Sequence, residues 1–366
     1  YGISQTTGKG EWLWNWAPFV RLGFSGKNGA SYNFNYSGRV ENVSNSQLSP
    51  VPDISNPTYI TFGNIYLEPH STHSFSLYTN YNNKKNFSFL SAVLSGSRST
   101  NGVVNANWFD ADGVQYNVPV NSKKGVTNIT VFCYMNAIPL NKERTFRLNL
   151  NAEASITKRY SYQNVAQIES VDMDNFDYGK FMEEFWGNAN GDKFYSGESG
   201  FKESATTSGS FNLGGNLYYE SDFVEISFGG YAQHGIRKYS LNKKANMNTW
   251  DYEVDGMLEI KTNNNFNIIN KLDYRWYDGY SEGYGKSHML WNFELHKSIK
   301  AVTLSLKVND VLNQTVTFNR IKQANYVEDR YSGIIGRRCL LGVTFNFGKM
   351  NTAKNRNATR SMLRMM

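Results

Sequence analysis

Period-two alternation of apolar and polar side chains constrains this chain more than any other feature. Across residues 301–312, Val302, Leu304, Leu306 and Val308 interleave with Thr303, Ser305, Lys307 and Asn309. Upstream, Met289, Trp291, Phe293 and Leu295 interleave with Asn292, Glu294 and His296. Trp250, Tyr252, Val254, Leu258 and Ile260 do so with Asp251, Glu253, Asp255 and Glu259. Phe146, Leu148, Leu150 and Ala152 alternate with Arg147, Asn149, Asn151 and Glu153. Successive side chains of a strand point to opposite faces, so each segment offers one face to an apolar medium and the other to water.

A soluble sandwich gives the same local pattern, and length and connection decide between the two. These segments exceed the common strand of about 5–6 residues and the roughly 9–11 that cross a bilayer. Short connections (27–29, 82–85, 139–142, 221–222, 262–265 and 298–300) alternate with long ones (42–71, 99–125, 158–207, 239–248 and 313–333). Short turns on one rim and long loops on the other are the layout of a transmembrane antiparallel up-and-down β-barrel, an all-β fold. Roughly thirteen strands are expected, the first over residues 14–25 and the last over 334–347, where single-chain bacterial barrels use even numbers. The chain therefore reads as the carboxy-terminal part of a barrel of about 22 strands, forming an open sheet. Residues 1–348 are the expected partial barrel, and 349–366 a basic periplasmic tail.

Composition agrees. Aromatics make up 15% of the 366 residues against an apolar total of 40%, so the apolar content is concentrated in rings, which suit pleated and interfacial surfaces. Mean hydropathy is −0.53. No run of about 18 apolar residues exists, which excludes a membrane-spanning helix and says nothing against strands. Of the net charge of +7, five positive charges sit in the tail (Lys349, Lys354, Arg356, Arg360 and Arg364), leaving +2 for the body, a poor fit to a nucleic-acid partner. Cys133 and Cys339 lie too far apart in sequence to suggest a metal site and read as small strand-face hydrophobes.

The lipid-facing stripe, with an assembly role at the last strand, is expected at Val302, Leu304, Leu306, Val308, Leu341, Val343, Phe345 and Phe347. Trp14, Trp16, Trp250, Trp276 and Trp291 are expected in the aromatic girdles at the membrane interfaces. The segment 158–207 mixes Glu169, Asp172, Asp174, Asp177, Glu183, Glu184, Asp192 and Glu198 with rings, and reads as a solvated loop rather than a cation or sugar site. Asp110–Gly113 reads as a hairpin turn, and the glycine-rich run 187–200 as a flexible loop without a following helix. His70, His73, His234, His288 and His296 form no helical zinc pair. Asp251 and Glu253 share a polar strand face and read as channel lining. No catalytic centre, cofactor site or metal site is expected.

Several passages carry a family resemblance. Residues 32–81 run strand, Gln47–Leu48–Ser49–Pro50, Asn56–Pro57, Gly63–Asn64, Leu67, Pro69, strand, with His70 where an acidic residue is usual. FMEEFWGN (181–188), DKFYSGESGFKES (192–204), NTWDYEV (248–254), WYDGYSEGYG (276–285), LWNFELHKS (290–298), SLKVNDVLNQ (305–314) and the closing strand follow in order. From about Tyr32 to Lys349 the chain resembles the outer-membrane β-barrel family of TonB-dependent-receptor-like proteins of Bacteroidetes. The resemblance implies an integral protein of the Gram-negative outer membrane whose parent adds an amino-terminal β-sandwich module, further barrel strands and a plug. It implies the TonB system and a surface lipoprotein as partners besides outer-membrane lipid, and uptake of a ligand bound at the outer loops. A non-transporting adhesin or assembly barrel, and a secreted β-rich carbohydrate-active enzyme, stay open as alternatives.

Overall fold

The structure is a computed structural model that describes residues 17–26, 29–85, 88–164, 170–262, 264–280, 287–315, 318–322, 327–331 and 335–345. In chain order the first elements are β1 (Phe19–Ser25), β2 (Ala30–Glu41), α1 (Asn45–Leu48), β3 (Asp53–Asn56), β4 (Tyr59–Thr61), β5 (His70–Asn83) and β6 (Ser88–Thr100). Next come β7 (Gly102–Phe109), β8 (Gln115–Ser122), β9 (Thr127–Pro139), β10 (Phe146–Gln163), α2 (Tyr178–Phe185) and α3 (Asp192–Ser196). The chain continues with β11 (Lys202–Glu220), β12 (Val224–Tyr239), β13 (Met247–Lys261), β14 (Phe266–Asp278), β15 (Ser287–Ile299) and β16 (Val302–Asn309). It closes with β17 (Phe318–Lys322), β18 (Val327–Tyr331) and β19 (Arg338–Phe345).

Thirteen of these strands form one up-and-down antiparallel sheet in the order β1, β2, β5, β6, β9, β10, β11, β12, β13, β14, β15, β16, β19. The count matches the reading of the sequence. Among the described residues β1 pairs only with β2 and β19 only with β16, so this sheet is open. β10 and β11 are the longest strands, at 18 and 19 residues, and pair from Phe146↔Tyr219 to Gln163↔Lys202. The last strand is shorter than the expected 334–347, and residues 346–366 lie outside the described residues, as do Trp14, Trp16 and Phe347.

The pairing register holds every apolar stripe in phase with its neighbour. One transverse row reads Leu77, Leu94, Val131, Ala154, Phe211 and His234, each residue directly opposite the next. Another reads Ile260, Ile268, Leu295, Leu306 and Leu341. A one-residue slip at any ladder would turn all that follows to the other face. The one irregularity respects this phase. Between Leu148↔Ile138 and Leu150↔Met135, β9 carries an extra residue, with Ala137 at φ +54° and its N–H donated to Asn149 Oδ1 at 2.8 Å. This bulge returns Ile138 to the apolar face.

Burial is inverted relative to a soluble protein. On β12, Phe228 of the apolar face is 58% exposed, while Glu225 of the polar face is 1% exposed. Ile156, Leu213, Leu272 and Leu304 are likewise exposed, and Glu259 is buried. The polar face is the shielded, concave one, and the apolar face looks outward. Leu304, Leu306, Trp291 and Phe293 are absent from the buried core. The convex face thus supplies the apolar contact that lipid requires, while the ladders satisfy the backbone internally.

This arrangement makes a direct forecast for the full-length protein folded into bilayers. Leu213→Arg, on the outward face, is expected to destabilise it by about 2–4 kcal/mol in denaturant unfolding. Asn212→Arg, one residue along and beside Glu153 on the concave face, is expected to change stability by less than about 1 kcal/mol. Equal costs would overturn the assignment of faces.

Candidate functional site: a folded cap above a polar wall

The short connections fall at one end of the strands, and three of the long ones at the other end are folded among the described residues. Connections 42–69, 101–126 and 164–201 condense into the principal buried cluster among the described residues. It contains Ile60 and Phe62 from the first; Ala106, Trp108, Tyr116, Val118 and Val120 from the second; and Met182, Phe185, Trp186, Phe194 and Phe201 from the third. Phe62 stacks on Phe181 at 4.5 Å between centroids, Trp108 on Tyr116 at 5.2 Å, and Phe185 meets Phe194 at 5.0 Å. Such ring contacts add to the area they bury.

Backbone and amide groups stitch the three connections together. β4 runs parallel to β8, and the Phe62 N–H donates to Asn117 O at 2.9 Å. The upper end of β10 runs parallel to β7, pairing Tyr162 with Ala106. That seats the cap directly on a barrel strand. Buried Asn64 donates from Nδ2 to Pro119 O and accepts from the Tyr66 N–H, and Asn121 donates to both Glu68 O and Asn101 O. Gly63 is required by close approach: a Cβ there would lie 2.1 Å from Ser49 O. The motif Gly63–Asn64 with Leu67 is therefore the splice between the first connection and the hairpin. Ser44 and Gln47 form a capping box on α1 just upstream.

Asp110 is the polar keystone. Its carboxylate accepts from the Asp112 and Val114 N–H groups at 3.0 and 2.9 Å and from Tyr116 Oη at 3.0 Å, while Tyr116 Oη accepts the Val171 N–H. Gly113 at φ +81° completes the hairpin turn. Burial opposes the Asp110 charge, but the donors from Val114, Tyr116, Ser170 and Asp112 outweigh it and hold its pKa below the ordinary carboxylate value. Tyr178 reaches across from α2, donating to Gly63 O and accepting the Ile65 N–H, both at 3.2 Å.

Three acidic residues of 170–200 act as local caps. Asp177 caps α2 through the Lys180 N–H at 3.1 Å, and Asp172 accepts from the Asp174 and Asn175 N–H groups. Asp192 accepts from the Asn188 and Lys193 N–H groups, which lower its pKa. The expectation of a solvated loop is corrected here: its rings are core, because packing them against the β7–β8 hairpin removes them from water. The glycine-rich run is corrected too. It contains α3, bounded by Gly191 and Gly197 with φ of +67° and +85°. Glu169 lies outside the described residues. Among the described residues no three His, Cys, Asp or Glu side chains gather as for a metal ion.

Below the cap the concave wall has two sectors. On β2, β5, β6 and β9, Asn35, Ser37, Ser74, Ser76, Ser95, Ser97 and Asn128 line a groove of about 240 Å³ without a charged group. On β10 to β16 the wall is ionic. Arg147 pairs with Glu220 at 2.5 Å, Lys261 with Glu225 at 3.1 Å, Arg275 with Glu253 at 2.9 Å, and Glu294 with His296 and Lys307 at 3.0 Å each. Glu253 is engaged by Arg275, and Asp251 accepts from Tyr280 Oη at 3.0 Å. The two shared-face carboxylates are thus wall residues with fixed partners.

On the convex face, Val302, Leu304, Leu306 and Val308 stand opposite Phe345, Val343, Leu341 and Cys339. Trp250 and Trp276 belong to one ring ladder at the long-loop end, His234–Trp250–Tyr252–Trp276, with centroids 4.4, 5.6 and 5.0 Å apart. Trp291 is outside that ladder. It stands opposite Leu272 and sends its indole N–H to Asn270 Oδ1 at 3.4 Å.

Comparison with known proteins fits this inside-out sheet. Residues 6–152 match the outer membrane protein beta-barrel family. The protein is accordingly placed in the outer membrane of a Gram-negative cell. Among solved structures, the copper transporter OprC is similar with a TM-score of 0.40 at 8% sequence identity, over 78% of this chain and 40% of that one. The chain thus spans less than half the length of that transporter. No curated protein sequence matches.

Asp110→Ala in the full-length protein is expected to loosen the cap by about 1.5–3 kcal/mol, since four donors lose a charged acceptor. Hydrogen exchange should rise in 58–62, 107–117 and 171–186 and stay unchanged in β12 to β16. The carboxylate's contribution is present above its ordinary pKa near 4 and is lost as pH falls through the lowered folded-state value. Protection in the cap, taken relative to the intrinsic exchange rate at each pH, should therefore be flat from neutral pH down to about 4 and fall only in stronger acid, a fall that Asp110→Ala abolishes.

Proposed function

We propose that this chain is the carboxy-terminal part of an outer-membrane receptor barrel that captures a ligand at its outer rim for TonB-dependent uptake. The observation that carries the reading is the cap: three long connections fold into one rigid body seated on β10 above a hydrophilic wall. A rigid scaffold with variable surface is how specificity is displayed, and a polar, partly ionic wall suits passage of a hydrated solute. In this reading Val302, Leu304, Leu306, Val308, Leu341, Val343, Phe345 and Phe347 meet hydrocarbon and guide assembly. Trp14, Trp16, Trp250, Trp276 and Trp291 anchor the interfaces. Further strands, a plug and the TonB contact belong to the parent protein, and residues 349–366 form a basic periplasmic tail.

A second reading, an adhesin or assembly barrel with a surface lipoprotein or other protein as partner, draws on a different feature. Val51, Ile54 and Tyr59 of the cap's first connection are 72%, 56% and 42% exposed, apolar side chains that a protein partner could cover.

Mass spectrometry of spent medium separates the two. A strain with the intact gene should deplete at least one solute that neither a deletion strain nor a strain lacking TonB depletes. Identical depletion by all three would sink uptake and leave the adhesive reading.

A further inference from the structure

The register brings three cations into one transverse row on the convex face, just beyond the apolar band at the long-loop end. Across β5, β6, β9, β10, β11 and β12 the directly opposed residues are His73, Arg98, Thr127, Lys158, Thr207 and Lys238. The row two residues nearer the short turns is Phe75, Gly96, Ile129, Ile156, Gly209 and Ile236, without a polar group. With strands about 4.8 Å apart, Arg98, Lys158 and Lys238 recur at roughly 10 Å intervals along the rim. All three are exposed. One step farther out, Tyr160 lies under Lys158 Nζ at 5.5 Å and Lys124 Nζ at 5.6 Å from its centroid. The nearest acidic residue on that face, Glu203, is held by Lys124 at 2.6 Å.

From this belt we infer a lipid-headgroup site: Arg98, Lys158 and Lys238 bind the phosphate groups of the outer-leaflet glycolipid. Three observations converge. The belt is on the outward face, so its cations point away from the concave wall and its ion pairs. It lies at the border where hydrocarbon gives way to headgroups, the depth at which long basic side chains extend to the interface. Its row and the two adjoining rows hold no carboxylate, so its complement is an anion from outside the protein. A threonine between successive cations, Thr127 and Thr207, adds hydroxyl donors suited to phosphate oxygens. Each Lys or Arg at an anionic surface strengthens retention several-fold. Three spaced cations therefore favour a phosphorylated ligand by a measurable margin.

The site rests on the outward assignment of the apolar face, and its test keeps the two apart. Full-length protein is delipidated in neutral detergent and offered phosphorylated lipid A, the same lipid A after chemical dephosphorylation, phosphatidylglycerol, or inorganic phosphate. Bound lipid is counted by native mass spectrometry. Phosphorylated lipid A should be retained, and its retention should fall at least about tenfold in the triple variant Arg98→Gln, Lys158→Gln, Lys238→Gln. The charge-preserving variant Arg98→Lys, Lys158→Arg, Lys238→Arg should retain it. If the glutamine triple does not fold, as judged by heat-modifiable gel migration, the three single variants carry the comparison, with a loss expected in each. Equal retention by charged and uncharged variants overturns the site. Equal retention of dephosphorylated lipid A or phosphatidylglycerol, or equal protection by inorganic phosphate, overturns the glycolipid assignment. Spin labels at positions 156 and 213 that report water rather than hydrocarbon would instead remove the outward face itself.

Discussion

The continuous antiparallel ladder is the constraint on which everything else in this structure depends. Hydrocarbon offers no partner for an N–H or C=O, so strands in lipid must satisfy one another. In this chain every strand of the thirteen-stranded sheet between its edges β1 and β19 does so on both sides. Once the backbone is satisfied within the sheet, the side chains are free to reverse the usual distribution. Phe228 can face outward and Glu225 inward because neither has to compensate for an unpaired main chain. Register transmits that choice across the sheet, and where β9 carries one residue too many, the bulge at Ala137 absorbs it.

The cap solves a different problem with opposite means. None of its strands or helices exceeds eight residues, and its ladders are too few to hold it. It depends on rings, from Phe62 through Trp108 to Phe194, and on amides that bond across connections, Asn64 and Asn121 above all. One protein therefore contains two kinds of interior: a hydrated wall that is ionic from β10 to β16, and a dry aromatic body that excludes water. β10 belongs to both, running from Phe146 at the short-turn rim to Tyr162 within the aromatic cluster.

This division explains what could be read from the sequence. Alternation is a property of neighbours along the chain, so the strands, the thirteen-strand count and the segregation of short from long connections were visible without coordinates. The Asp110–Gly113 turn was visible for the same reason. The cap was not. Phe62, Trp108 and Phe185 carry no period, and each segment alone looks like an acidic or glycine-rich loop. The Gly63–Asn64 pattern carries part of the family resemblance, but its purpose appears only when Ser49 and Pro119 are brought beside it. The same limit hid the basic row. Arg98, Lys158 and Lys238 are ordinary single cations in sequence, and only the pairing of five strands aligns them.

The cap's cross-links also determine how it can come apart. Tyr178 bonds to Gly63 across 115 residues and Tyr195 to Asn121 across 74, so no single connection can complete the body on its own. Closing loops of that span costs entropy that only the finished cluster returns. The three connections therefore form and open as one cooperative unit rather than as three independent loops.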